Sequence, residues 1–268
     1  MLAIKNNIMA ANAARNLGQS YDALAKSVER LSSGLRINSA KDDAAGLAVR
    51  ELMRADISVL QQGARNAQDA VSLVQTAEGG TQTIQNLLNR MKQLAEQAAT
   101  GSYQDDQRTI MSTEFKELSA EIGRISTSAK FNDISLLDSS AVVSIVVGGT
   151  DTITITKQDM TEETLGIDAL GLSKAESATA ALTALDSAIG QVNTARSHFG
   201  AKMNRLESTV EVLNIQAENL MTAESRISDI DVATEMSAMT RNQVLAQAGV
   251  AMLAQANTIP QMALTLLR

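Results

Sequence analysis

The stretch LTALDSAIGQVNTARSHFGAKMNRLESTVEVLNIQAENLMTAESRI, residues 182–227, decides the fold, because its apolar side chains recur at alternating steps of three and four residues. Such steps place one apolar stripe along a face of an α-helix, and that face packs against another helix. Of the fourteen stripe positions, only Arg196 and Glu224 are polar. The pattern predicts one long helix with a partner helix beside it. The stripe positions are Leu182, Leu185, Ile189, Val192, Arg196, Phe199, Met203, Leu206, Val210, Leu213, Ala217, Leu220, Glu224 and Ile227.

Three segments nearer the N-terminus carry apolar residues at the same spacing. They are residues 17–35, 53–99 and 111–129. Gly, Ser, Asn and Asp, which favour helix ends and loops, interrupt the spacing at Ser33–Gly34, from Asn38 to Gly46 and at Thr100–Gly101. The sequence therefore predicts long helices joined by short breaks.

Between residues 142 and 156 the apolar period changes to two. Ile153 and Ile155 alternate with threonines, and they face the stretch VVSIVV, residues 142–147, across Gly148–Gly149. Alternation on both sides of a glycine pair is typical of a β-hairpin. Because an isolated hairpin is only marginally stable in water, we expect it to lie on the helices.

The composition favours helices packed side by side over a thick globular core. The 268 residues include two Tyr, three Phe, no Trp and one Pro, so aliphatic residues and Met carry most of the apolar surface. We predict a mainly α fold, in which a long antiparallel helical hairpin or coiled-coil bundle carries a small β-hairpin region. The absence of Cys rules out disulfides and cysteine zinc sites.

The charge and hydropathy patterns exclude two classes of partner. The net charge is −7, the acidic residues concentrate between residues 41 and 231, and there is no basic stripe for nucleic acid. The longest strongly apolar run, residues 142–147, is too short to span a bilayer. Residues 1–16 also lack the continuous apolar core of a secretory signal. We expect no nucleic-acid binding, no membrane insertion, and export by a route that uses no cleaved signal.

The sequence contains none of the usual catalytic patterns. His198 is the only histidine, and neither HExxH nor a glycine-rich phosphate loop nor GxSxG occurs. The adjacent acids Asp42 and Asp43 are typical of helix-start caps rather than of an acid–base pair. We therefore predict no enzyme activity and no catalytic, metal or cofactor site.

The C-terminal segment gives the strongest functional signal. From Met236 to Leu267 the only charged side chain is Arg241, whereas a solitary exposed helix normally has a charged face. We expect the helix at residues 17–35 to pair with it and other chains to cover the rest. Burying about eight apolar side chains this way would contribute roughly 10–20 kcal/mol before the ordering cost. The apolar residues of the segment are Met236, Met239, Val244, Leu245, Val250, Met252, Leu253 and Ile259.

Two long motifs resemble the bacterial flagellins. They are LSSGLRINSAKDDAAGLAVRE, residues 31–51, and SRISDIDVATEMSAMTRNQVLAQAGVAMLAQANTIPQMALTLLR, residues 225–268. The resemblance implies an inner coiled-coil domain with its connecting spoke, residues 1–46 and 228–268, and a helical second domain, residues 47–227, that includes the hairpin. Only about forty residues separate the second-domain helices, so the variable outer domains of the family are missing.

The resemblance also implies a function. Flagellins are secreted through the flagellar type III apparatus and self-assemble outside the cell into a hollow helical filament for motility. The implied partners are other copies of the chain, an export chaperone, and hook-junction and cap proteins. The residues expected at the polymerisation interface are Leu17, Tyr21, Leu24, Val28, Leu31, Leu35, Met236, Met239, Val250, Leu253, Met262, Leu264 and Leu267.

A host partner is implied as well, because many flagellins are sensed by an innate Toll-like receptor. The positions that match the receptor contact are Arg90, Leu94 and Glu114. Arg90 and Leu94 lie four residues apart and hence on one helix face. Asn89 stands where the family often has Gln before the arginine.

Two alternatives remain at this point. A hook-filament junction protein resembles flagellin at both termini, although the ending LAQANTIPQMALTLLR favours flagellin. A soluble signalling coiled coil would account for the heptads, but not for the uncharged C-terminal helix or the hairpin.

Overall fold

The structure is a computed structural model that describes residues 6–265, with side chains described as far as Ile259. The fold is mainly α, as the sequence predicts, and it contains two small antiparallel sheets, of which the sequence predicts one. None of the described helices combines the length and apolarity needed to cross a membrane. In chain order the elements are α1 (Ile8–Ser33), α2 (Ala44–Ala99), α3 (Asp105–Ser128), β1 (Lys130–Phe131), β2 (Ile134–Ser135), β3 (Val142–Gly148), β4 (Asp151–Thr156), α4 (Glu162–Leu165), α5 (Ala175–Ser228) and α6 (Val232–Thr265).

The chain divides into two compact units. Residues 1–55 and 219–268 form the terminal unit, and residues 56–218 form the central unit. These bounds are those of the compact units, and they differ from the predicted domain bounds at residues 46 and 227. The assignment of these units to an inner and a second domain stays a prediction.

The core of the central unit contains the apolar stripe of α5. Leu185, Val192, Phe199 and Leu206 of that stripe are completely or almost completely buried, as expected. The polar stripe position Arg196 also has a structural explanation, because its guanidinium donates to Glu78 Oε1 at 2.7 Å and to Gln85 Oε1 at 3.3 Å. Pairing and hydrogen bonding make the partial burial of this charge tolerable. The main apolar cluster runs from Ala64 to Leu213 and lies wholly within the central unit.

The predicted β-hairpin is present and lies on a helix. β3 pairs with β4 so that Val143 faces Ile155 and Ile145 faces Ile153, with an irregularity between Val146 and Gly148. A Cβ atom on Gly63 of α2 would come within 2.3 Å of the Val147 carbonyl oxygen. A glycine is therefore required where the hairpin backbone contacts α2.

Three short elements, β1, β2 and α4, were not predicted. Strands β1 and β2 pair through a turn in which Asn132 and Asp133 have φ values of 49° and 63°. The short helix α4 begins after Thr161, whose side chain accepts a hydrogen bond from the Thr164 backbone N–H. Strands of two residues are too short to show a period, and this is why the sequence pattern missed them.

Candidate interaction surfaces

Helices α1 and α6 form an antiparallel pair in the terminal unit. Near one end, Asn7 Nδ2 donates to the carbonyl oxygen of Ala256 at 2.8 Å. Towards the other end, Arg30 and Glu235 form an ion pair at 3.8 Å. The helices approach closely between these points, because a Cβ atom on Gly249 would lie 3.0 Å from Leu17 Cδ1. These contacts fix the register of the pair.

Some residues of the predicted polymerisation interface lie in the seam, which is the line of contact between α1 and α6. Leu17, Leu24 and Leu31 of α1 are half-buried, and so are Met239 and Leu253 of α6. On both helices these residues follow the seven-residue spacing that faces a partner helix. The apolar stripe of α1 is thus covered only in part by its own chain.

A second set of apolar residues on the two helices stays exposed. Four predicted interface residues belong to it: Tyr21, Val28, Met236 and Val250. The prediction missed Ile8 and Met9, because it began the first helix at residue 17 rather than at Ile8. Met262, Leu264 and Leu267 lie outside the residues whose side chains the structure describes. Among the described side chains of α1 and α6, the large apolar residues that stay exposed are Ile8, Met9, Tyr21, Val28, Val232, Met236, Val244, Leu245, Val250 and Met252.

An open groove of about 420 Å³ runs between the two helices, and we call it the terminal groove. Its lining is apolar or neutral, and no Asp, Glu, Lys or Arg contributes to it. Because it has no charged side chain, such a surface binds water weakly, and its apolar residues gain free energy when an apolar partner covers them. The lining residues are Met9, Asn12, Ala13, Asn16, Leu17, Ser20, Leu245, Ala248, Gly249 and Met252.

Leu35 does not belong to the helical stripe, which corrects the prediction. Helix α1 ends at Ser33, because Gly34 adopts a left-handed conformation with φ of 72° and donates its N–H to the Arg30 carbonyl oxygen at 2.8 Å. Leu35 instead forms an isolated antiparallel bridge with Asp229.

Further hydrogen bonds tie the same two chain segments together. The Arg36 N–H donates to the Ser228 carbonyl oxygen at 2.6 Å, and the Ile230 N–H donates to the Gly34 carbonyl oxygen at 3.1 Å. The Arg36 side chain also donates to the Ile227 carbonyl oxygen, through Nη2 at 2.6 Å and Nε at 3.2 Å. The segment after α1 is therefore paired with the end of α5.

The two adjacent acids form caps and turns, as predicted. Asp43 Oδ1 accepts from the Gly46 N–H at 2.9 Å and so caps the start of α2. Asp42 Oδ2 accepts from the Ser39 N–H at 3.2 Å and from the Asn38 N–H at 3.4 Å, while Oδ1 lies 2.7 Å from Lys26 Nζ. The hydrogen bond from Lys26, reinforced by the two backbone N–H groups, lowers the pKa of Asp42 to about 2.

The residues expected to contact a receptor do not share one exposed surface. Arg90 donates to Glu114 Oε1 through Nε at 2.9 Å and Nη2 at 2.7 Å, and both side chains are about half exposed. Leu94 is only 2% exposed and belongs to the core of the central unit. The packing of the bundle thus covers position i+4 on α2, and the receptor contact itself stays a prediction. The exposed apolar residue near this pair in sequence is Ile110, one turn before Glu114 on α3.

Across the described part of the chain, His, Asp and Glu side chains do not gather in groups of three or more that could hold a metal ion. The surface features that stand out are the terminal groove and the exposed Arg90–Glu114 pair. The first is apolar and the second is charged, so they suit different partners.

Comparisons with known proteins agree along the chain. A family model described as the bacterial flagellin N-terminal helical region matches residues 4–141, and one described as the bacterial flagellin C-terminal helical region matches residues 182–267. A flagellin of Halalkalibacterium halodurans is 43% identical over 270 residues, and the match covers 99% of this chain and 99% of that flagellin.

Solved structures show the same likeness. The crystal structure of Bacillus cereus flagellin is similar with a TM-score of 0.51 and 33% identity, over 60% of this chain and 94% of that one. A Vibrio parahaemolyticus protein described as flagellar hook-associated has a TM-score of 0.61 over 70% of this chain and 100% of that one. Because the identity is only 16%, this similarity shows a shared fold and nothing more.

Proposed function

Because this chain belongs to the bacterial flagellins and is a structural subunit of the extracellular flagellar filament, we propose that its copies contact one another through the exposed apolar face of α1 and α6. The terminal groove is the centre of that contact. The single observation that carries the proposal is the exposure of ten large apolar side chains on these two helices, beside a seam that is already formed.

The energetics favour assembly through this face. The ten side chains are about half to two-thirds exposed, so covering them recovers about half of the 1.5–3 kcal/mol that full burial of each would contribute. The sum is on the order of 10 kcal/mol before the ordering cost of association. This lies at the lower end of the range expected from the sequence, because the seam within the chain has already buried part of the stripe.

Substitution of Leu245 tests the contact. Leu245→Gln places a polar amide in the terminal groove, where Leu245 is exposed, so the monomer should keep its helical content and melting temperature. Its elongation from filament seeds should fall by about tenfold or more, because the amide loses its water on assembly. Leu245→Met is the matched control and should elongate normally. Normal elongation of Leu245→Gln would refute the proposal.

The remaining partners follow from the same surface. We propose that an export chaperone covers the apolar face of α6 before the subunit leaves through the flagellar type III apparatus, and that hook-junction and cap proteins contact this face at the filament ends. Between Val232 and Thr265 the only charged residues are Glu235 and Arg241. The apolar side chains of this helix are therefore more stable when a partner shields them from water.

We also propose a contact for a host Toll-like receptor that consists of Arg90 and Glu114 without Leu94. The supporting observation is that this ion pair is half exposed and thus available to a partner in the free subunit. Monomeric Arg90→Ala and Glu114→Ala should each activate the receptor less than the unsubstituted monomer. Lys92→Ala is the control, because Lys92 forms a different exposed ion pair, with Asp186. Equal activation by all four proteins would remove the receptor from the partners of this chain.

A further inference from the structure

The methionines of the two units differ in exposure. In the central unit, Met91, Met111 and Met160 are 0%, 9% and 3% exposed. In the terminal unit, Met9 and Met252 are 66% and 63% exposed, the highest values among the methionines whose side chains are described. Both of these side chains line the terminal groove. A soluble oxidant therefore reaches the thioethers of the groove before it reaches those of the core.

We propose that Met9 and Met252 form a modification site at which a peroxide controls whether the free subunit assembles. The proposal rests on the proposed function of the terminal groove as the contact between copies. The thioether sulfur attacks one oxygen of hydrogen peroxide, the O–O bond breaks and an S–O bond forms. The sulfur loses two electrons, and the departing hydroxide takes up the proton of the transferred OH group and leaves as water.

The chemical change bears on assembly and leaves the fold alone. A sulfoxide is polar, and the terminal groove offers it no charged side chain as a partner. In the monomer the sulfoxide stays in water, because both side chains are about two-thirds exposed. In the filament it would lose that water against an apolar neighbour. Assembly also covers the groove, so subunits that have already assembled are protected.

The test uses the full-length chain and hydrogen peroxide. After mild treatment of monomer, peptide mass mapping should show sulfoxide at Met9 and Met252 before Met91 or Met160, with helical content unchanged. Elongation from seeds should fall by about tenfold or more, because the polar sulfoxide loses its water against an apolar neighbour, and methionine sulfoxide reductases should restore it. Treated filaments should stay unmodified at both positions.

Paired leucine variants separate the groove from the other methionines. The Met9→Leu/Met252→Leu double variant should elongate normally and keep elongating after peroxide. The Met221→Leu/Met236→Leu variant removes the two other methionines that are exposed among the described side chains and should remain sensitive. Equal sensitivity of the Met9→Leu/Met252→Leu variant and the unsubstituted chain would overturn the proposal. So would normal elongation of unsubstituted monomer that carries both sulfoxides.

Failure of the underlying contact has a different signature. If Leu245→Gln elongates normally, the terminal groove is not the contact between copies and the oxidation proposal falls with it. If Leu245→Gln is blocked while monomer oxidised at Met9 and Met252 elongates, the contact stands and the oxidation proposal alone is wrong.

Discussion

At the scale of single residues, Asp42 links helix α1 to the connection that follows it. Its carboxylate forms an ion pair with Lys26 of α1 and accepts hydrogen bonds from the N–H groups of Asn38 and Ser39. Its pKa of about 2 in the folded chain lies below the value of roughly 3.9 expected when unfolded. Because the pKa is lower in the folded chain, the ionised carboxylate stabilises the folded state at any pH above the pKa of the unfolded chain. This stabilisation is lost as the pH falls through the pKa of the folded chain.

We therefore predict that the connection loosens between about pH 4 and pH 2. In NMR spectra recorded over this range, the Asn38 and Ser39 amide signals should titrate with a midpoint near the pKa of about 2. The Asp42→Asn variant should show no such titration. A midpoint near 4 in the unsubstituted chain would mean that the carboxylate is not held as described.

Leu94 and Arg90 lie one turn apart on α2 but should differ in their effect on stability. Leu94 is buried in the core, so Leu94→Ala should lower the free energy of unfolding by about 2–5 kcal/mol. Arg90 forms an exposed ion pair, so Arg90→Ala should cost at most about 1 kcal/mol. Urea unfolding of both monomers measures the difference. Similar losses for the two variants would contradict the packing of α2.

The sequence could show which residues form stripes and that the first helix pairs with the C-terminal one, but not how much of each stripe is covered. Leu185, Val192 and Phe199 are buried as the spacing predicts. Leu17 and Leu24 have the same spacing, yet pairing with α6 leaves them only half-buried. Spacing defines a face of a helix, whereas the extent of its burial depends on tertiary packing.

At the scale of elements, the turn after α1 should distinguish between two neighbouring proline substitutions. The Asp42 N–H donates to the Ser39 carbonyl oxygen at 2.9 Å, so Ser39 and Asp42 are the ends of a β-turn and Ala40 is its second residue. Proline is favoured at that second position. At position 39, however, it would remove the N–H that donates to Asp42.

We expect Ala40→Pro to leave filament shape and motility unchanged. Ser39→Pro should alter both, since we expect residues 36–46 to act as a conformable connection between the domains. Electron microscopy of filaments and swimming assays measure the two effects. If Ser39→Pro is as harmless as Ala40→Pro, residues 36–46 are a plain surface loop.

The longer elements were predictable and the shortest were not. The stretch 182–227 and the hairpin at 142–156 carry enough residues for a period of 3.5 or of 2 to repeat. The pairing of β1 with β2 depends on Asn132 and Asp133, which adopt positive φ, and not on any repeat. Asn and Asp tolerate that conformation better than most residues, so the turn could have been inferred from them.

At the scale of the whole molecule, we predict that the central unit folds without the terminal unit. Its main apolar cluster, from Ala64 to Leu213, draws on no residue of the terminal unit. A fragment of residues 56–218 should therefore melt cooperatively within a few degrees of the full-length monomer by circular dichroism. Limited proteolysis of the monomer should trim both ends first. A fragment without a cooperative transition would show that the helical ends are needed for folding.

The antiparallel pairing of α1 and α6 also has a mechanical consequence. Because Asn7 meets Ala256 at one end of the pair and Arg30 meets Glu235 near the other, a force that separates the helices from the Asn7 end loads one contact at a time. Unzipping of this kind yields at a lower force than sliding two helices past each other, because the load is never shared along the whole seam. A force applied to one helix of the pair can thus separate the two helices one contact at a time, in steps small enough for thermal motion to assist.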